Sequence, residues 1–147
     1  MSSNNLGSEI KGEEYLVLHE FAKKAKEKLP KETWDYLIGA AETETTFKRN
    51  RFALDSLAFR PRVLRDVENV NLSSKLFGHE LRIPVILAPI GSMQDFVEGA
   101  GEAPTKAASE FGVMHMISST CMPGFEQVAK CVNYPKLFQL YVRGDPD

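Results

Sequence analysis

Pro84-Val85-Ile86-Leu87-Ala88-Pro89 is an unbroken apolar run between two prolines, and together with two later runs it decides the fold. A strand with one wet face alternates apolar with polar residues. A strand buried on both faces of a parallel sheet does not. Val113-Met114-His115-Met116-Ile117-Ser118 is a second buried run, and Lys136 to Val142 reads as a third strand. Two helical patterns separate them. The first is Ala-rich, from Gly101 to Phe111, with Pro104 tolerable only in its first turn. The second is shorter, from Pro123 to Cys131. Strand–helix–strand–helix–strand at this spacing is a βαβαβ unit, so the fold class is α/β with a parallel sheet.

The chain changes character upstream of Pro84. Residues 1–12 are rich in Ser, Asn, Gly and Lys, which predicts a loosely attached lead. A helix is expected from Glu13, where Tyr15, Leu18, Ala22, Ala25 and Leu29 step at three and four to make one apolar stripe. Pro30 ends it and can open the next, Lys31 to Ile38, with Gly39 as its stop unless the small Ala40 and Ala41 continue it. Thr43 to Leu57 reads as a third helix. Pro61 keeps Arg60 extended, and Lys75–Phe77 with Glu80–Ile83 reads as a small hairpin about Gly78-His79. The expected organisation is a lead over 1–12, helices and hairpin over 13–83, and a βαβαβ part over 84–147.

Composition narrows the class without naming the chemistry. The 147 residues are 43% hydrophobic and 26% charged, with a formal net charge of −2. Eighteen basic against twenty acidic side chains give no electrostatic case for nucleic acid or an anionic membrane surface. No apolar run approaches the roughly 20 residues of a membrane span, and no secretory signal is visible. Cys121 and Cys131 make no disulfide framework, so a reducing, cytoplasmic compartment is expected. The three histidines, His19, His79 and His115, have no metal-ligand spacing, and no metal is expected.

Ligands of parallel α/β folds sit beyond the carboxyl ends of the strands. Here those ends are Ala88-Pro89-Ile90-Gly91, Ile117-Ser118-Ser119-Thr120 and Phe138-Gln139-Leu140-Tyr141. Ser118 and Gln139 carry neutral donor and acceptor groups, suited to a heteroaromatic edge with carbonyl and N–H groups. The same side chains also serve as ordinary strand caps, and the spacing alone leaves both readings open. Tyr36 and Tyr141 are in the same position: each is a candidate ligand contact or a buried aromatic with a satisfied hydroxyl.

From about Phe21 onward, six pieces occur in order: LPKETWDYLIGAAE, TTFKRNRFALDSLAFRPRVLRDV, LFGHELRIPVILAPI, GEAPTKAASEFG, MISST and FQLYV. Together they resemble the N-terminal portion of the FMN-dependent α-hydroxy-acid oxidases and dehydrogenases. That family includes glycolate oxidase, lactate oxidase, mandelate dehydrogenase and the flavin domain of flavocytochrome b2. The resemblance implies a (β/α)8 TIM barrel of which about three strands are present, FMN as cofactor, and a small 2-hydroxy acid as substrate. It implies that Pro89, Ile90 and Gly91 lie against the flavin ring and that Ser118 and Gln139 hydrogen-bond the isoalloxazine. It implies that Tyr36 helps bind the substrate carboxylate, and that Tyr141 contacts substrate and takes part in catalysis. Homo-oligomers are implied for full-length members. Two positions depart from the pattern. Gly91 stands where many members have alanine, and Thr120 stands where glycolate-type members carry tryptophan, which implies a differently shaped pocket.

The family's proton-abstracting histidine, flavin-facing lysine, carboxylate-binding arginine and phosphate loops belong to later strands and have no counterpart in this sequence. The chain is therefore expected to be a truncated member, able to orient but not to turn over substrate alone. Two alternatives stay open: a non-catalytic half-barrel needing a complementary chain, and another flavin- or phosphate-binding barrel.

Overall fold

A computed structural model describes residues 15–144, so the expected lead over 1–12 lies outside the described residues. Packing divides the chain into two units, Met1–Lys48 and Arg49–Asp147.

The first unit holds α1 (Leu18–Lys28) and α2 (Lys31–Ile38), and α3 (Thr45–Asp55) begins in it. Glu20 Oε2 reaches back to accept from the backbone N–H of Leu16 at 2.6 Å and of Val17 at 3.2 Å, fixing where α1 starts. Leu29 is extended (φ −83°, ψ 145°), the conformation favoured before a proline, and α1 stops there. Pro30 caps α2 from outside the helix and Gly39 closes it, so the expected bounds of Lys31 to Ile38 hold. The third helix starts later than Thr43 because Glu44 takes φ 59°, which no right-handed helix contains. The stripe expected on the first helix does not make a core. Leu18 is 83% exposed, and none of the three helices buries a residue. Periodicity shows which residues share a face. It does not show that anything covers the face.

The second unit opens with a hairpin of β1 (Ser74–Leu76) and β2 (His79–Leu81), paired antiparallel with Leu76 opposite His79. Phe77 (φ 47°) and Gly78 (φ 82°) are the two turn residues, both left-handed as a type I′ turn requires. The turn thus sits one residue earlier than the Gly78-His79 centre expected from sequence.

A three-stranded parallel sheet comes next, ordered β3 (Ile86–Leu87), β4 (Met114–Ser118), β5 (Leu137–Gln139). The crossovers are α4 (Glu102–Phe111) and α5 (Phe125–Lys130), which completes the βαβαβ unit. Pro104 falls in the first turn of α4, and Gly112 (φ 89°) ends that helix in the left-handed conformation only glycine adopts freely. The outer strands are shorter than their apolar runs. Pro84 and Pro89 have no N–H for a ladder, and Val85 N–H is taken by Ile83 C=O at 2.8 Å. Pairing of β5 stops once β4 turns away after Ser118, where Cys121 N–H bonds Ser118 C=O at 3.2 Å.

Only the central strand is buried as the sequence predicted. Met114, His115, Ile117 and Ser118 are buried, whereas Ile86 and Leu87 are half-buried and Phe138 is exposed. Each outer strand has one neighbour among the described residues, so part of each keeps water contact. Val113, Ala108 and Val128 complete the core between sheet and helices. His115 bonds Thr105 of α4, so one face of β4 meets that helix. The pleat turns Met114, Met116 and Ser118 to the opposite face.

Candidate functional site

The register that pairs Ser118 with Gln139 brings two polar side chains to the same face at adjacent strand ends. Ser118 Oγ donates to Gln139 Oε1 at 3.2 Å, and Ser118 is 3% exposed. Thr120 folds back over this pair, with its Oγ1 3.1 Å from Ser118 Oγ and its backbone N–H donating to the same oxygen at 3.3 Å. The loop after β3 is tied to the same place. Ser92 N–H donates to Thr120 C=O at 3.3 Å, and Met122 N–H donates to Gln94 Oε1 at 3.1 Å.

Pro89, Ile90 and Gly91 run along this junction. Pro89 and Gly91 are half-buried, and Ile90 is exposed. Gly91 has no side chain, and a Cβ built there would overlap Thr120 Oγ1. The structure therefore brings Gly91, Ser118 and Gln139 to one junction, with small backbone on one side and hydrogen-bonding side chains on the other. The neutral donors and acceptors gathered there match in chemistry the polar edge of a heteroaromatic ring.

The two tyrosines sit differently. Tyr141 lies two residues past β5, is 53% exposed, and has the Arg143 guanidinium 5.4 Å from its ring centroid. Tyr36 is on α2 in the first unit and is 70% exposed. Neither is the buried packing aromatic that sequence left open as an alternative. Among the described residues no three His, Cys, Asp or Glu side chains converge as a metal site would need, and no helix is long and apolar enough to cross a membrane.

Sequence reasoning missed a second polar pair. Thr105 Oγ1 donates to Gly101 C=O at 2.8 Å and lies 2.8 Å from His115 Nδ1. A hydroxyl has one proton. With that proton on Gly101, His115 must carry its proton on Nδ1 and donate it to Thr105. Burial holds the His115 pKa below the usual imidazole value, so the ring is neutral near pH 7. Burial likewise pushes the Cys121 thiol up. Thr105, one turn into α4, gave no sequence signal beyond a polar residue in an apolar helix.

A polar strand-end pair on a parallel βαβαβ scaffold, beside a glycine whose missing Cβ leaves room for the Thr120 hydroxyl, marks a candidate site of the α/β class. The comparisons with known proteins narrow that class. Residues 25–147 match the family model described as FMN-dependent dehydrogenase, and the chain belongs to that family. Glycolate oxidase 3 of Oryza sativa subsp. indica is 37% identical over 127 residues, covering 86% of this chain and 34% of that protein. The L-lactate dehydrogenase of Vibrio parahaemolyticus is 36% identical over 121 residues, covering 82% and 32% respectively. A crystal structure of mandelate oxidase superposes with a TM-score of 0.84 at 30% identity, over 89% of this chain and 39% of that one. The chain spans about a third of the length of the curated relatives it matches.

Proposed function

We propose that this chain supplies the flavin-ring edge and part of the substrate contacts of an FMN-dependent oxidoreductase of 2-hydroxy acids, with a lactate- or glycolate-like substrate. The observation that carries the reading is the Ser118–Gln139 pair, held at adjacent strand ends beside a side-chain-free Gly91. FMN supplies the two-electron chemistry by which a 2-hydroxy acid becomes a 2-keto acid. The residues of this chain orient. Gln139 and Ser118 meet the polar edge of the ring, and Pro89, Ile90 and Gly91 offer backbone to its face. Tyr36 and Tyr141 are the proposed contacts of the substrate, Tyr36 through its carboxylate and Tyr141 near the reacting carbon.

None of the three histidines is proposed as the base that takes the α-proton. A base must come within about 3 Å of that proton. His115 is buried against α4, its Nδ1 proton committed to Thr105, on the face of β4 opposite Ser118. The three parallel strands are proposed as the first part of a (β/α)8 barrel over 84–147, with 13–83 preceding it. Homo-oligomeric assembly and a cytoplasmic setting belong to the same proposal.

The test is an FMN titration followed by quenching of flavin fluorescence, on wild type and on Ser118→Ala and Gln139→Ala. Saturable one-to-one binding is expected, weakened roughly tenfold by either substitution, since about 1–1.5 kcal/mol per hydrogen bond approaches a factor of ten. NADH should not compete, because no dinucleotide-binding glycine fingerprint is present in the sequence. A chain that takes up no FMN at all would sink the proposal.

A further inference from the structure

Ser118 Oγ makes three contacts, and their donor–acceptor accounting has one solution. Gln139 Oε1 carries no proton, so Ser118 donates to it at 3.2 Å. The Thr120 backbone N–H can only donate, and Ser118 Oγ accepts from it at 3.3 Å. The remaining contact, Ser118 Oγ to Thr120 Oγ1 at 3.1 Å, must then run from Thr120 to Ser118, because the single Ser118 proton is already used. The result is a directed relay: Thr120 hydroxyl to Ser118 hydroxyl to Gln139 carbonyl. Gln139 Nε2 carries none of these bonds, so both its protons remain for a ligand.

Gly91 makes the relay possible. A Cβ at position 91 would overlap Thr120 Oγ1, while its next contacts, Thr120 Cβ at 3.6 Å and Ser118 Oγ at 3.7 Å, are ordinary. The conflict is with the hydroxyl alone. A methyl at position 91 would have to push that oxygen aside, away from Ser118. We propose that Thr120 is a positioning residue that fixes Gln139 as a donor, and that Gly91 is the notch that seats its hydroxyl. The ligand edge that this polarity selects bears acceptors, a ring carbonyl or an unprotonated ring nitrogen. The geometry stands without any ligand. The assignment of the ligand edge to flavin rests on the proposed function above.

The test compares Thr120→Val, Thr120→Ser and a cycle of Gly91→Ala with Thr120→Ala, all in the full 147-residue chain. Three readouts are taken: unfolding midpoints, the side-chain amide signals of Gln139 by NMR, and FMN titration with the visible spectrum of the bound flavin. Val keeps the shape and loses the proton. It should shift the Gln139 amide signals, weaken FMN binding about fivefold to tenfold and displace the flavin absorption bands, while Ser restores all three. Gly91→Ala should lower the unfolding midpoint in the Thr120 background and not in Thr120→Ala. Unmoved Gln139 signals in Thr120→Val, or an equal cost of Gly91→Ala in both backgrounds, would overturn the proposal. If wild type takes up no FMN, the flavin reading fails, and the amide signals and the unfolding cycle still decide the role of Thr120.

Discussion

Thr105→Val is the sharpest probe of the buried polar pair behind the sheet. Thr105 is 1% exposed and His115 4%, so water cannot replace what the substitution removes. Valine has nearly the volume of threonine, which leaves no cavity, and the cost is purely that of lost hydrogen bonds. Two groups lose their partner: the His115 Nδ1–H, which donates to Thr105, and Gly101 C=O, which accepts from it at 2.8 Å. A buried donor or acceptor left unsatisfied costs about 1–3 kcal/mol. The pair together should cost about 2–6 kcal/mol of stability. Thr105→Ser keeps the hydroxyl and removes a methyl, for about 1 kcal/mol. The assay is urea denaturation followed by far-UV circular dichroism, with the slope checked so that the change is one of stability rather than of compactness. His115→Leu supplies the control, because with the imidazole gone Thr105→Val should cost distinctly less. A loss below about 0.5 kcal/mol, or an equal loss in the His115→Leu background, would refute the bonding pattern and the tautomer assigned from it.

Four further measurements bear on the same packing. The folded-state pKa of His115 is depressed by burial, so the unfolded chain binds the extra proton first as pH falls. Stability should be level above about pH 6.5 and fall below it by up to about 1.4 kcal/mol per pH unit, a slope absent in His115→Leu denaturation curves. Cys121 is buried with its thiol pKa raised and Cys131 is only half-buried; alkylation of the native chain should label Cys131 first and reach Cys121 only with unfolding. Phe77→Asn should stabilise the hairpin by about 0.5–1 kcal/mol, because asparagine tolerates the left-handed conformation that Phe77 (φ 47°) is forced into; an unfolding curve unchanged or shifted down would contradict this. Exposed Phe59, Val63, Leu64, Val67 and Val70, and a β5 paired only with β4 among the described strands, should make the purified chain associate. A monodisperse monomer in sedimentation velocity, with slow amide exchange in 137–142, would remove that expectation.

What the sequence made legible was whatever local chemistry decides. Pro30 and Gly39 punctuate α2, and its bounds come from them. Gly112 at φ 89° ends α4 where a glycine after an Ala-rich run should. The βαβαβ order was recognisable from strand-like stretches alternating with helical patterns, and the strand lengths were not, because a ladder needs N–H groups and a neighbour. Two prolines and a neighbour that turns away after Ser118 set those limits. The stripe on α1 failed for a related reason: Leu18 and Ala22 share a face by periodicity, and both are exposed.

The residues of the candidate site can be picked from the sequence one by one, but their arrangement cannot. Ser118 and Gln139 are 21 positions apart, and only the register of β4 on β5 places one opposite the other. Gly91 and Thr120 read, in the sequence, as two independent departures from a family pattern, one loss of a methyl and one loss of a large aromatic. In space they are neighbours. The Cβ that Gly91 lacks would occupy the place of the Thr120 hydroxyl, and the small side chain at position 120 is what lets a hydroxyl fold back onto Ser118 at all. Restoring alanine at 91 alone would displace the hydroxyl, and restoring a bulky aromatic at 120 alone would remove it. Each departure is thus intelligible only beside the other, a coupling of strand ends that spacing along the chain does not encode.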